Sequence, residues 1–222
     1  MCGRYTLSEP GDLFQELGVE PPEDFQPRYN VAPTQTLPAV RATAGGDGRE
    51  LVELRWGLVP FWADEPSIGN RMINARSETA AKKPAFRQAF RKRRCLLPAD
   101  GFYEWAKEGG QKQPYHIFLE GHRPFTFAGL WEHWARGEDV IESFTILTTD
   151  PAPDIEHLHD RMPVILPPDV RDLWLDPGVE DAEALRQLLR PYPGNDLAFV
   201  PVSRVVNSPK NDRPECVQPL QR

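Results

Sequence analysis

Residues 95–148 read CLLPADGFYEWAKEGGQKQPYHIFLEGHRPFTFAGLWEHWARGEDVIESFTILT, and their spacing decides the fold. Five strand-like segments, Cys95–Leu97, Phe102–Trp105, Tyr115–Leu119, Phe125–Leu130 and Ile141–Thr148, alternate with glycine-containing turns. Runs that short, separated by turns, read as hairpins. Working outward, Leu37–Thr43 and Leu51–Trp56 flank Gly45-Gly46-Asp47-Gly48 as a further hairpin, and Met162–Leu166 and Leu197–Val202 add strands. Ser8-Glu9-Pro10 opens a short helix carrying Leu13, Phe14 and Leu17 and closed by Gly18. Another helical stretch begins near Ser77-Glu78 and restarts at Pro84, and two more are expected at about 168–175 and 180–190. Residues 19–36 and 57–72, rich in proline or glycine, read as loops. The expected fold is α+β, a single domain over 1–222 with a mainly antiparallel, barrel-like β core flanked by helices. Its core spans about 2–211, ahead of a short polar C-terminal tail.

The 222 residues suffice for one substantial core, and a hydrophobic fraction of 40% with six tryptophans argues against disorder. Residues 1–10 lack the apolar segment of a signal peptide, and no run is long enough to span a membrane. Cys2, Cys95 and Cys216 form no CxxC pair and leave an odd number. They support neither a disulfide framework nor a zinc site, so no metal or cofactor is expected and Cys95 and Cys216 read as structural. A reducing cytoplasm would keep Cys2 a thiol.

The net charge of −7 hides a segregation. Thr79 to Ala99 carries seven basic residues and no acid, whereas Glu138 to Asp196 carries fourteen acids against four arginines. Charges more than about 10 Å apart are largely screened in 0.1 M salt, so a local basic face can hold phosphate on an acidic chain. Arg87, Arg91 and Arg94 fall at i, i+4 and i+7, on one expected helical face that is either solvated or phosphate-binding. The acidic segment 138–196 is expected to lie away from any DNA path.

Candidate chemistry begins at Cys2. Once Met1 is removed, Cys2 offers an α-amine with a typical pKa of about 7.7–8.0 beside a thiol near about 8.5. That pair traps an aldehyde: the amine forms an imine and the thiol closes a five-membered thiazolidine. Glu104 lies in Ala99-Asp100-Gly101-Phe102-Tyr103-Glu104-Trp105, sharing a strand face with Phe102. Among aromatics it is either a desolvated proton carrier or a solvent-facing strand residue. His159, in Leu158-His159-Asp160-Arg161-Met162-Pro163, suits general acid–base work or a plain structural role. Asn74, in Ile73-Asn74-Ala75-Arg76-Ser77-Glu78, is an orienting group or a cap. Arg76 and Arg161 bind phosphate or pair with carboxylates. Trp56, Phe61 and Trp62 are core residues by default, although a proline-rich aromatic loop can also wedge against bases.

Taken in order from Met1-Cys2-Gly3-Arg4 through Arg28-Tyr29-Asn30-Val31-Ala32-Pro33-Thr34 and the three motifs above to Val202-Ser203-Arg204-Val205-Val206-Asn207 and Lys210-Asn211, the chain resembles the SOS response-associated peptidase (SRAP) family. The resemblance implies a protein that removes its own Met1. It then crosslinks through Cys2 to the ring-opened abasic sugar in single-stranded DNA, at single/double-strand junctions included. It implies catalytic roles for Cys2, Asn74, Glu104 and His159. Arg4, Arg76, Arg161 and Thr148 would hold phosphates, and Trp62 would lie in the strand-displacing loop. The expected state is a cytoplasmic monomer, nucleoid-associated when bound to DNA, with no membrane partner. Two rival readings use the same residues: a thiol peptidase acting on other proteins, and a non-covalent single-strand or junction binder.

Overall fold

A computed structural model describes residues 2–220. Its strands are β1 (Tyr5–Leu7), β2 (Arg28–Val31), β3 (Thr36–Ala42), β4 (Arg49–Trp56), β5 (Asn74–Arg76), β6 (Arg94–Ala99) and β7 (Gly101–Glu108). They continue with β8 (Gln111–Leu119), β9 (Phe125–Arg136), β10 (Asp139–Thr149), β11 (Met162–Pro163), β12 (Ile165–Leu166) and β13 (Leu197–Pro201). The helices are short: α1 (Leu13–Glu16), α2 (Ser77–Ala80), α3 (Arg87–Lys92), α4 (Arg171–Leu175) and α5 (Ala182–Gln187).

β10, β4, β3, β6 and β9 form a ring in which β9 returns to β10, so the sheet closes on itself and loses its edges. Every contact in the ring is antiparallel except β10–β4, where Phe144 sits opposite Trp56 in parallel. The predicted α+β, barrel-like architecture is what forms. Period-2 alternation puts Leu37, Ala39, Leu54, Trp56, Leu97, Phe127, Phe144 and Ile146 into one core. There Trp56 stacks on Phe144 with ring centroids 6.1 Å apart. A second, wholly antiparallel sheet, β13-β8-β7-β1-β2, lays Tyr5, Leu7, Phe102, Ile117 and Leu119 onto that same core. The outward barrel positions Val40, Leu96, Ala128 and Leu147 are covered by Phe86, Phe90, Trp174 and Leu185 from the helical segments.

Two sequence expectations give way. Residues 19–36 contain β2, a strand completed from the far end of the chain. The Asp212 carboxylate accepts the Tyr29 and Asn30 amides at 2.6 and 2.9 Å, while Asn30 Nδ2 donates to the carbonyls of Val206, Ser208 and Asn211. Arg94 is not on the basic helical face, because α3 ends at Lys92 and Arg94 opens β6, buried. Its guanidinium caps carbonyls of Phe90, Arg91, Trp174 and Asp176, binding the end of α3 to α4, and burial lowers it to about 10.

Candidate active site

β1 and β7 run antiparallel, with Tyr5 opposite Phe102 and the Tyr103 amide donating to the Arg4 carbonyl at 3.0 Å. Carried toward the N-terminus, that register takes Gly3 past Glu104 and Cys2 into the core, where it is fully buried. Its Sγ lies 3.7 Å from the Arg4 carbonyl. Burial pushes the Cys2 thiol up and the nearby Glu104 charge adds to the effect, so sulfur stays protonated near neutrality.

Glu104 is only 3% exposed, which removes the solvent-facing alternative. Burial pushes its carboxyl up to about 7, and the Asp160 charge works in the same direction. A carboxyl half-ionised at neutral pH can both take and give a proton. His159 places Nε2 3.7 Å from Glu104 Oε2, and its Nδ1 accepts the Arg161 amide at 3.0 Å. The Arg161 amide favours a neutral ring protonated on Nε2, on the Glu104 side, whereas Asp160 beside Nδ1 favours a proton there. Burial holds His159 below its ordinary value, opposed by the Asp160 carboxylate 2.9 Å from Nδ1.

The other wall of the site is built where β10 leaves the barrel. Its last residues pair with β5 in parallel, Asn74 opposite Ile146 and Arg76 opposite Thr148, and with β11 in antiparallel, Pro163 opposite Thr148. The Asn74 motif, the end of β10 and the segment following His159 thereby meet on adjacent strands. Asn74 donates Nδ2 to the Ile73 carbonyl at 3.0 Å, while its Oδ1 is buried without a hydrogen-bond partner. The buried Thr148 hydroxyl also lacks one. Leaving such atoms unpaired costs about 1–3 kcal/mol each, a cost relieved by any donor that enters.

The arginines divide. Arg161 is clamped by Glu78 at 2.8 and 3.0 Å, by Asp150 at 2.8 Å and by the Thr148 carbonyl at 2.7 Å. Burial acts to raise Glu78, yet the Arg161 hydrogen bonds hold it below the usual carboxylate range. The acidic segment therefore does not lie apart from the site: Asp150 and Asp160 belong to it, because the strands bearing Thr148 and Met162 bring their flanking acids along. Arg4 fastens the N-terminal strand to the C-terminal segment, donating to Asn30 Oδ1 at 3.0 Å and the Val206 carbonyl at 2.8 Å. Arg76 stands exposed at the end of β5.

Trp56 is buried, but Phe61 and Trp62 are 49% and 45% exposed, against their default reading as core. Their loop is pinned through Ala63, whose carbonyl accepts Trp134 Nε1 at 2.8 Å. Cys95 and Cys216 are both buried free thiols. The pairing of Arg161 with Glu78 was not read from the sequence, although Glu78 stands inside the quoted Asn74 motif. Among the described residues, no cluster of histidine, cysteine and carboxylate residues could hold a metal ion, and no helix is long and apolar enough to cross a membrane.

A sequence profile described as SOS response associated peptidase (SRAP) matches residues 1–209. The chain belongs to that family. It is 42% identical over 224 residues to the abasic site processing protein YoqW of Bacillus subtilis (strain 168), covering 98% of this chain and 99% of that one. It is 35% identical over 228 residues to the abasic site processing protein HMCES of Gallus gallus, covering 89% of this chain and 67% of that protein. Among solved structures, a protein from Bacteroides thetaiotaomicron superposes with a TM-score of 0.85 at 26% identity, over 99% of this chain and 100% of the other.

Proposed function

We propose that this chain processes abasic sites in DNA, and that it does so by covalent capture through Cys2 in single-stranded DNA. The observation that carries the reading is the placing of a buried thiol, a near-neutral carboxyl and a neutral imidazole together at the N-terminal end of β1. Met1, whose removal the reading requires, lies outside the described residues. Hydrolysis of the Met1–Cys2 bond frees the α-amine. The amine then adds to the C1′ aldehyde of the ring-opened sugar and water leaves, giving an imine. Sγ adds to the same carbon, and the thiol proton passes to the imine nitrogen as the thiazolidine closes. Because the thiol is held protonated, the amine attacks first and a base must take the sulfur proton, a role that suits Glu104. His159 assists ring-opening as a proton donor through Nε2. Asn74 Oδ1 is placed to orient the amine or the sugar.

Arg76 and Thr148 on paired strands, with Arg161 behind them, are suited to the phosphates that flank the lesion. Arg4 serves the same surface by holding β1 in place. Asp150 is 77% exposed on its side chain, so a flanking phosphate can take its place on the Arg161 guanidinium. Exposed Trp62 fits a loop that separates strands.

The test is direct. Intact mass should show loss of Met1, and incubation with single-stranded DNA bearing one abasic site should give a band that survives a denaturing gel. Cys2→Ala and Cys2→Ser should both lose that band. A stable adduct from either variant overturns the proposal. Met1-free protein without a band returns the thiol-peptidase reading, and retained Met1 without a band leaves only non-covalent binding.

A further inference from the structure

The sheet face that carries Glu104 does not end at the acid. Glu104 sits opposite Tyr115 on β8, and Tyr115 packs edge-on against Phe199 of β13 with ring centroids 6.0 Å apart. Phe199 is opposite Ile117, which is opposite Phe102, so strand alternation puts Phe199 on the Glu104 face. His157, two residues before His159, meets the Phe199 ring at 5.1 Å in a T-shaped contact. β13 is the outermost strand of its sheet and Phe199 is 36% exposed on it. An aromatic row thus runs from the acid to the outer strand, about 10 Å away at two strand spacings, where Leu220 covers the edge at Pro201 and Phe199 stays part-exposed.

We infer that Tyr115, Phe199 and His157 form a stacking shelf for the nucleobase of a nucleotide adjoining the abasic sugar, with Phe199 as the main contact. The inference rests on the function proposed above. An abasic nucleotide has no base of its own, so placing its sugar at Cys2 must draw on its neighbours. A base laid on an aromatic ring gains about 1–3 kcal/mol whatever its identity, which matches a lesion that occurs in any sequence context. Phe199 lies across Tyr115 from the carboxyl, where the chain leaving the captured sugar would pass. His157 ties the shelf to the segment that carries the imidazole.

The experiment measures single-turnover crosslinking against protein concentration on three single-stranded oligonucleotides. One has purines on both sides of the abasic site; the others carry a tetrahydrofuran spacer in place of the 5′ or the 3′ neighbour. Wild type should lose about 5- to 100-fold in half-saturating concentration when one of the two neighbours lacks its base. Phe199→Ala should show that loss already on the purine substrate and no further loss with the spacer, while Phe199→Trp restores the wild-type pattern. Phe199→Leu keeps the packing on Tyr115 but not the ring face, and should behave as Phe199→Ala. The shelf is overturned if neither spacer weakens wild type, or if Phe199→Ala and Phe199→Leu keep the full spacer effect. Should wild type fail to crosslink on every substrate, the function above falls instead, and equilibrium binding of the same three oligonucleotides still reads the shelf by the same differences.

Discussion

The two faces of the β7–β8 ladder each bury a titratable side chain, on neighbouring residues of the register, and treat them oppositely. Glu104 faces the core beside Cys2 and His159, and burial brings it up to about 7. His116, opposite Tyr103, points to the other face, where burial brings it down to about 4. Its Nε2 lies 3.2 Å from Thr6 Oγ1, and its ring is packed 5.0 Å from Tyr103 and 5.3 Å from Phe118. Desolvation disfavours the charged form in both, but with different results. Glu104 is left half-ionised at neutral pH with an imidazole at 3.7 Å, ready to exchange a proton. His116 is left neutral and held against Tyr103, Phe118 and Thr6, serving as a packing element. Burial alone therefore does not mark a functional group; what marks it is a pKa near the working pH together with partners that can accept the change.

The largest expected difference between the faces lies in reactivity. Glu104→Gln should slow crosslinking about 100-fold or more in a single-turnover assay, the usual scale for a general acid–base group. The wild-type rate should rise with pH through about 7 as the carboxylate forms, and this rise should be absent from the variant. An unchanged rate would place the proton transfer elsewhere and reduce Glu104 to a buried acid no different in kind from His116.

On the opposite face the expected effect is structural. A Cβ on Gly101 would stand 2.2 Å from His116 Nε2 and 2.9 Å from Thr6 Oγ1. Real atoms do not approach so closely, and the β1–β7 register holds Thr6 directly opposite Gly101. Gly101→Ala should therefore cost about 3 kcal/mol, read as a lower urea midpoint at unchanged slope. A loss below about 1 kcal/mol would mean that His116 can swing aside and is not the fixed element described.

This contrast also explains what was legible in the sequence. Cys2, Asn74, Glu104 and His159 stand out because their neighbours make an unusual local pattern, and the hairpin spacing of 95–148 points to the barrel. Glu104 could be placed on the Phe102 face by alternation alone. His116 drew no notice, since its environment depends on Thr6 and Gly101, both distant in sequence. β2 was hidden for the same reason: its outer edge is completed by Asp212 and by carbonyls accepting from Asn30. β1 and β5 are three residues each, too short to carry a periodic signal, yet they position Cys2 and Asn74. Helix periodicity carried past Lys92 puts Arg94 on the basic face, whereas its buried guanidinium ends the helix instead.

The smallest expected effect sharpens the comparison through the pH dependence of stability, because the two groups contribute with opposite sign. Glu104 has a folded pKa above its unfolded value. The folded state thus binds more protons than the unfolded one between about pH 4.5 and 7, and stability falls as pH rises across that window. At roughly 1.4 kcal/mol per pH unit the loss is bounded near 3 kcal/mol. His116 has a folded pKa below its unfolded value, so the unfolded state binds more protons between about pH 6.5 and 4, and stability falls as pH drops across that window. In wild type the two slopes largely cancel over the overlap. Glu104→Gln removes one and leaves the other. The variant should match wild type near pH 4, gain on it steadily, and exceed it by up to about 3 kcal/mol at pH 7.5 in urea titrations. A variant no more stable than wild type at pH 7.5 would show that the Glu104 carboxylate carries no desolvation cost, and the distinction between a poised face and a locked one would then have to rest on His159 alone.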